Sequence, residues 1–157
     1  MLQLAAGGLA LLAMNVAISA AAETDLPVVL DLLLRSKLPR DGLEQYIATM
    51  LVAREGQRIV GCAVLEPYGG AALLRSVAVE PSCRGLGLGQ QLTDAVLELA
   101  RVRHIRTVYL LTETAANFFA KWGFQPVARS SVDGRVKGSI EFTKACPESA
   151  QAMRLEL

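Results

Sequence analysis

Arg84, Gly85, Leu86, Gly87, Leu88 and Gly89 place glycine at every second position, after a β-rich stretch that ends at Val79 and before a helix-forming stretch that starts at Gln90. A strand, a glycine turn and a helix start in that order aim consecutive backbone N–H groups, and the positive end of the helix, at one point beyond the strand. That arrangement holds a pyrophosphate without using side chains, so the run points to a phosphate-bearing ligand. Gly-x-Gly patterns also open dinucleotide sites and ordinary turns, and the surroundings decide between them. A dinucleotide fold carries its turn after the first strand, with an acidic residue about 20 residues further on; here three strands and two helices precede it. A nucleotide-hydrolysing loop requires Gly-Lys-Ser/Thr, and Gly89 is followed by Gln90. Cys62, Cys83 and Cys146 are odd in number and widely separated, without the spacing of a zinc site or disulfide framework, which fits a reducing cytoplasm. His104 follows the basic end of a helix and reads as a solvated residue favourable to the helix dipole.

The elements that position this turn read as one domain. The chain has 157 residues, 52% hydrophobic and 20% charged, enough for a core that needs no staples. Sixteen basic and 15 acidic residues give a net charge of +1 with no basic run, which argues against nucleic acid. Residues 2–17 are apolar and residues 19–22 resemble a small-residue cleavage site, which would make the protein secreted. Against that, no Lys or Arg precedes the apolar run, Gly7, Gly8 and Asn15 interrupt it, and it is short for a membrane span of about 20 residues. The preferred reading starts translation at Met14, so that residues 1–14 are an extension outside a single domain of residues 15–157.

Within that domain, residues 15–21 read as a first strand. Thr24, Asp25 and Pro27 open an apolar-rich helix that ends near Lys37, and a shorter helix spans residues 41–49. Residues 51–54 and 58–65 form a hairpin about Glu55-Gly56-Gln57. Pro67-Tyr68-Gly69-Gly70 breaks the chain before a strand over residues 71–79, so three successive strands pair antiparallel. Leu92, Ala95, Val96 and Leu99 mark one face of a helix over residues 90–102. A strand (107–111), a helix (115–122) stopped by Gly123 and a strand (124–128) follow, a rhythm that implies parallel pairing, and residues 152–157 form a last strand. The class is α/β, a mixed central sheet flanked by helices.

The glycine run resembles the cofactor motif of the GNAT acetyltransferases, Arg/Gln-x-x-Gly-x-Gly/Ala, through Arg84, Gly87 and Gly89 with Val77-Ala78-Val79 as the preceding strand. Phe118-Phe119-Ala120-Lys121-Trp122-Gly123-Phe124 is similar to the family's second signature, Phe-Tyr-x-Lys-Leu-Gly-Phe. The resemblance implies the GNAT acyl-CoA N-acyltransferase fold with acetyl-CoA as co-substrate. It places the amides of Arg84, Gly85, Leu86, Gly87, Leu88 and Gly89 on the pyrophosphate, and Val77, Ala78 and Val79 on the pantetheine arm and acetyl carbonyl. Thr112 stands where the family often has asparagine, and Phe119 where it often has a tyrosine that protonates the leaving thiolate. Phe119 has no proton to give. A thiolate whose pKa lies near the roughly 8.5 of cysteine leaves tolerably unaided.

A narrower resemblance, to the arsenic-resistance N-acetyltransferases, rests on residues 61–69, Ala72-Leu73-Leu74-Arg75-Ser76, Leu110-Leu111-Thr112-Glu113-Thr114-Ala115, Glu141-Phe142 and residues 145–150. It implies acetylation of an amine on an organoarsenical, an aromatic aminoarsenical in its trivalent state; residues 132–139 fit this branch less well. Acetyl transfer needs a neutral amine and a destination for its protons. Glu66, at a strand end, is the first candidate base or substrate orienter, against a solvated turn carboxylate, and Glu113 is the second. Arg75 is costly to bury unpaired, so it pairs with Glu66 or meets an anionic group of the substrate beside Ser76. Trivalent arsenic is thiophilic, which makes Cys146 a candidate substrate contact; Cys62, inside an apolar strand, reads as core packing. The expected partner is a small-molecule amine, with room for a homodimer and no membrane. Two rival readings remain: acetylation of an amino acid or a protein N-terminus, and a non-catalytic acyl-CoA-binding module.

Overall fold

Seven β-rich segments pair into one sheet in the order β1-β2-β3-β4-β5-β7-β6. The strands are β1 (Val16–Ala20), β2 (Met50–Glu55), β3 (Arg58–Tyr68), β4 (Ala71–Val79), β5 (Thr107–Thr112), β6 (Gln125–Val127) and β7 (Gln151–Glu156). The helices are α1 (Leu26–Arg35), α2 (Leu88–Val102), α3 (Ala116–Ala120) and α4 (Gly134–Lys137). The structure is a computed structural model that describes residues 15–157; the extension assigned to residues 1–14 lies outside the described residues. Among the described residues, no helix is long and apolar enough to cross a membrane.

Strand alternation sorts the core into two layers. Val52, Cys62 and Val64 lie under α1, which buries Val29, Leu32 and Leu33 at helical spacing. Ala53, Ala63 and Leu65 lie under α2, which buries Leu88, Leu92, Val96 and Leu97. Because both faces of β3 are covered, its sequence from Ile59 to Leu65 is continuously apolar instead of alternating. β1 through β4 form an antiparallel meander, and β4 pairs parallel with β5.

Three differences from the sequence reading bear on the site. β3 does not end at Leu65: Glu66, Pro67 and Tyr68 stay in register with Leu73, Ala72 and Ala71, and the turn falls at Gly69 and Gly70. Residues 43–49 form tight 3-10 turns broken at Tyr46 in place of a short α-helix. Finally, β6 runs parallel to β5 but is not its neighbour. β7 lies between them, antiparallel to both. Pro126 cannot donate to a ladder and suits an edge strand, while Ala152 and Met153 of β7 are buried at the interior position.

Candidate active site

β4 and β5 part company early. Their pairing covers only Ala71 with Thr107, Ala72 with Val108 and Leu73 with Tyr109. Beyond it, β4 carries an extra residue against β3, because Cys62 pairs with Ala78 but Val64 pairs with Arg75. Ser76, at the bulge, takes φ +59°, a left-handed conformation uncommon for a residue with a side chain. Two bonds hold it there: Arg75 Nε donates to Ser76 Oγ at 3.1 Å, and Cys62 Sγ donates to the Ser76 carbonyl at 3.2 Å. A bulge bends its strand and sharpens its twist. Between the diverging strands opens a cleft of about 1130 Å³, walled by Ser76, Val77, Ala78 and Val79 on one side and by residues 110–115 on the other.

The glycine turn closes one end. Gly85 (φ 77°) and Gly87 (φ 85°) both use the left-handed region, which glycine enters without a Cβ penalty. The first bond of α2 runs from Gln91 N–H to the Gly87 carbonyl at 3.1 Å, and among the described residues the amides from Gly85 to Gln90 have no backbone acceptor. Arg84 Nε donates to the Val79 carbonyl at 3.0 Å and fixes the turn against the strand end. Free amides, a helix N-terminus and an adjoining open strand edge fit an elongated ligand that ends in a pyrophosphate.

The opposite wall is aromatic. Phe119, 8% exposed, meets Phe118 edge to face at 5.0 Å and Phe124 at 5.9 Å. Trp122 Nε1 donates to Asp94 Oδ1 at 2.7 Å and ties α3 to α2. Thr112 Oγ1 accepts the Ala115 amide at 2.9 Å, so it braces the turn that leads into α3 while lining the cleft.

At the other end, beside residues 36–39 and the 141–150 segment, lies a buried charge cluster. Arg75, with no side-chain exposure, donates from Nη1 to Glu66 Oε1 at 2.8 Å and to the Asp41 carbonyl at 2.8 Å. Its Nε lies 3.1 Å from Glu141 Oε1. Glu66 Oε2 accepts from Tyr68 Oη and Ser139 Oγ, each at 2.7 Å. Glu141, 4% exposed, offers Oε2 to Cys146 Sγ at 3.4 Å. Burial pushes the Glu141 carboxyl above the usual carboxylate range, opposed by the Arg75 charge. Burial, and then the Glu141 charge, push the Cys146 thiol up to about 12, so at neutral pH it is a thiol. Burial and hydrogen bonds from Tyr46 and to Glu66 raise the Tyr68 phenol well above its ordinary value.

The structure brings most of the expected residues to this cleft. Ser76, Val77, Ala78, Val79, Arg84, Gly85, Gly87, Leu88, Gly89, Thr112, Glu113, Phe119 and Cys146 line it. Leu86 does not, because its side chain packs against the core. Of the two fates open to Arg75, the structure takes the pairing with Glu66, and neither residue lines the cleft. Glu66 is therefore a fully engaged partner inside the sheet and not a carboxylate at a strand end. Glu113 sits exposed at the rim, with Ser149 Oγ 3.4 Å away. Cys62 is core packing, its thiol pushed up to about 12 by burial. The buried carboxylate that reaches the cleft, beside the exposed Glu113, is Glu141, to which the sequence reading gave no role. Its signal was indirect: a buried arginine in the central strand has five N–H donors to satisfy, more than one glutamate accepts.

Residues 47–126 match the Acetyltransferase (GNAT) domain. Over 115 residues the chain is 31% identical to the amino-acid acetyltransferase of Azotobacter vinelandii, covering 68% of this chain and 27% of that protein. Over 116 residues it is 34% identical to the amino-acid acetyltransferase of Pseudomonas paraeruginosa, with the same coverage. The chain thus spans about a quarter of the length of these curated relatives. Two crystal structures share its fold: Rv2747 from Mycobacterium tuberculosis in complex with CoA and NLQ (TM-score 0.76, 24% identity, 90% of this chain, 99% of that one), and N-acetylglutamate synthase from Neisseria gonorrhoeae complexed with coenzyme A and N-acetyl-glutamate (TM-score 0.78, 20% identity, 90% and 35%).

Proposed function

The chain belongs to the GNAT acetyltransferase family, and from that premise we propose that it transfers the acetyl group of acetyl-CoA to the amine of a small molecule, an aromatic aminoarsenical in its trivalent state. The observation that carries the transfer reading is the cleft itself: unbonded amides at one end, an unpaired strand edge along its length, and a carboxyl and a thiol side by side at the other. Acetyl-CoA supplies an acetyl carbon activated as a thioester. The amides of Gly85 to Gln90 and the α2 N-terminus would neutralise the pyrophosphate. The open edge of Val77, Ala78 and Val79 would bind the pantetheine amides and offer N–H groups where oxyanion charge develops. Phe118 and Phe119 keep that wall dry.

The arsenical is supported by the acceptor end. Leu38, Pro39, Ala145 and Pro147 make it largely apolar, and Cys146 presents the kind of soft donor that trivalent arsenic prefers. An aryl amine is neutral at pH 7 and attacks without prior deprotonation. A second reading, an amino acid as acceptor, is favoured by the name shared by the curated relatives and by Lys37, which lines the acceptor end and can meet a carboxylate.

Acetylated products followed by mass spectrometry, with acetyl-CoA and a panel of 4-aminophenylarsenite, aniline, glutamate and other amino acids, separate the readings. Mass detection is needed because trivalent arsenicals trap the released thiol. We expect kcat/KM for the arsenical at least tenfold above aniline, and loss of that preference in Cys146→Ser. Turnover of an amino acid without turnover of the arsenical would overturn the arsenical reading, and coenzyme A binding without any turnover would favour a non-catalytic module.

A further inference from the structure

The two carboxylates that share Arg75 are not equivalent. Glu66 is fully buried, away from the cleft, with three donors on it: Arg75 Nη1, Tyr68 Oη and Ser139 Oγ. Glu141 has Arg75 Nε at 3.1 Å on one oxygen and only a thiol, a weak donor, at 3.4 Å on the other. It is also the one of the two that lines the cleft, beside Cys146 and Ala145. A base must reach the proton it takes and must have a lone pair not already committed to a strong donor. Glu141 meets both conditions, whereas Glu66 fails the first, because it does not line the cleft.

We propose that Glu141 is a catalytic residue, the group that accepts the proton of the acceptor amine; this rests on the acetyl-transfer reading above. As the amine nitrogen bonds to the acetyl carbon and the carbon–sulfur bond breaks, the N–H proton passes to Glu141 Oε2. The departing thiolate takes a proton from solvent, Glu141 returns its own to solvent, and the net products are an amide and a thiol. The groups that set its charge are Arg75 from β4, Glu66 from β3, Asp41 from the loop before the 3-10 turns, and Cys146 on its own turn. Burial and the two acidic neighbours raise its basicity, and the Arg75 charge opposes them. The ion pair with Arg75, Nε to Oε1 at 3.1 Å, also holds the carboxylate in place.

The test is the pH dependence of kcat/KM from pH 5 to 9 for the wild type, Glu141→Gln and Glu141→Asp. Because the carboxylate form is the active one, wild-type activity should rise with pH through an apparent pKa above the ordinary 4.5. Glu141→Gln should lose about 10²-fold at pH 7.5 and the acid limb with it, with KM for acetyl-CoA within about twofold; Glu141→Asp should recover part of the rate and the limb. A Gln variant within threefold of the wild type, or one that keeps the limb, overturns the proposal. Site-resolved alkylation of Cys146 gives a readout free of turnover. A charge at Glu141 Oε2 suppresses thiolate formation, so Glu141→Gln should alkylate several-fold faster at pH 8, and equal rates would count against an ionising Glu141. Wild type inactive on every amine refutes acetyl transfer and the base together; wild type active with an unaffected Gln variant refutes the base alone.

Discussion

Replacing Arg75 with methionine keeps most of the buried stem and deletes the one cation that Glu66 and Glu141 share. The wild-type guanidinium also donates to the carbonyls of Asp41 at 2.8 Å and Pro39 at 3.3 Å, and to Ser76 Oγ at 3.1 Å. The variant leaves two carboxyls, 0% and 4% exposed, facing each other without a counter-charge. Breaking a buried pair from one side costs about 3–5 kcal/mol. Taking about 4 kcal/mol, and roughly 3 °C per kcal/mol for a domain of this size, Tm should fall by about 12 °C. The sign of the pH dependence follows from the carboxyls. Burial already holds Glu141 above its ordinary value, and removing the cation that opposes burial raises its folded-state pKa further. A group whose folded pKa is raised stabilises fully below its unfolded pKa, and that contribution is lost as pH rises through the folded one. The deficit of Arg75→Met should therefore be smallest near pH 5 and grow toward pH 8. Denaturant unfolding of both proteins at pH 5, 6, 7 and 8 measures it. Adding Glu66→Gln should restore part of the loss at pH 8 by removing one of the two charges. A deficit below about 1 kcal/mol, or one that does not change with pH, would refute the shared-cation account.

Two further substitutions probe the ligand end of the cleft. Gly87→Val places a β-branched residue at φ 85° in the N-cap of α2, a left-handed position that costs roughly 1–2 kcal/mol; calorimetric titration should show coenzyme A affinity reduced at least tenfold, and unchanged affinity would mean that the turn does not hold the pyrophosphate. Phe119→Tyr adds a phenol to a ring 8% exposed at the cleft wall. Because a thiolate with a pKa near 8.5 leaves without help, kcat should stay within about threefold, and a tenfold rise would show that thiolate departure limits the wild type.

The glycine turn and the helix behind it were legible because their signal is local. Left-handed backbone favours glycine, and α2 repeats its buried residues at 3.6-residue intervals. The Phe118-to-Phe124 signature was legible for the same reason. Glu66 was misplaced because Pro67 suggests a break, yet an antiparallel neighbour carried the strand on to Tyr68. The position of β7 between β5 and β6 was not legible at all, since pairing between strands distant in sequence leaves no local trace. Glu141 escaped for a related reason. It sits in a five-residue π-helical turn, Glu141–Ala145, where neither helical nor strand periodicity applies, and only its distance to Arg75 marks it.

The bulge at Ser76 links these parts. One extra residue reverses side-chain alternation along β4, which is why Arg75, opposite Val64, and Ala78, opposite Cys62, face the same layer. It also begins just where pairing with β5 has ended, so the same residue that turns the arginine inward frees the strand edge that forms the cleft wall. A non-glycine residue at φ +59° costs of order 1 kcal/mol or more and persists only where its surroundings overdetermine it. Here the surroundings are the charge cluster: Arg75 bonds the Ser76 hydroxyl while both carboxylates hold Arg75. Buried ion pairs are weak contributors to net stability, and their best-attested use is to specify one geometry among several. The geometry specified in this fold is the open strand. Arg75→Met should on this account do more than lower Tm, because relaxation of Ser76 would let β4 straighten toward β5 and narrow the cleft. Coenzyme A affinity of the folded variant should fall although Arg75 lies outside the cleft lining.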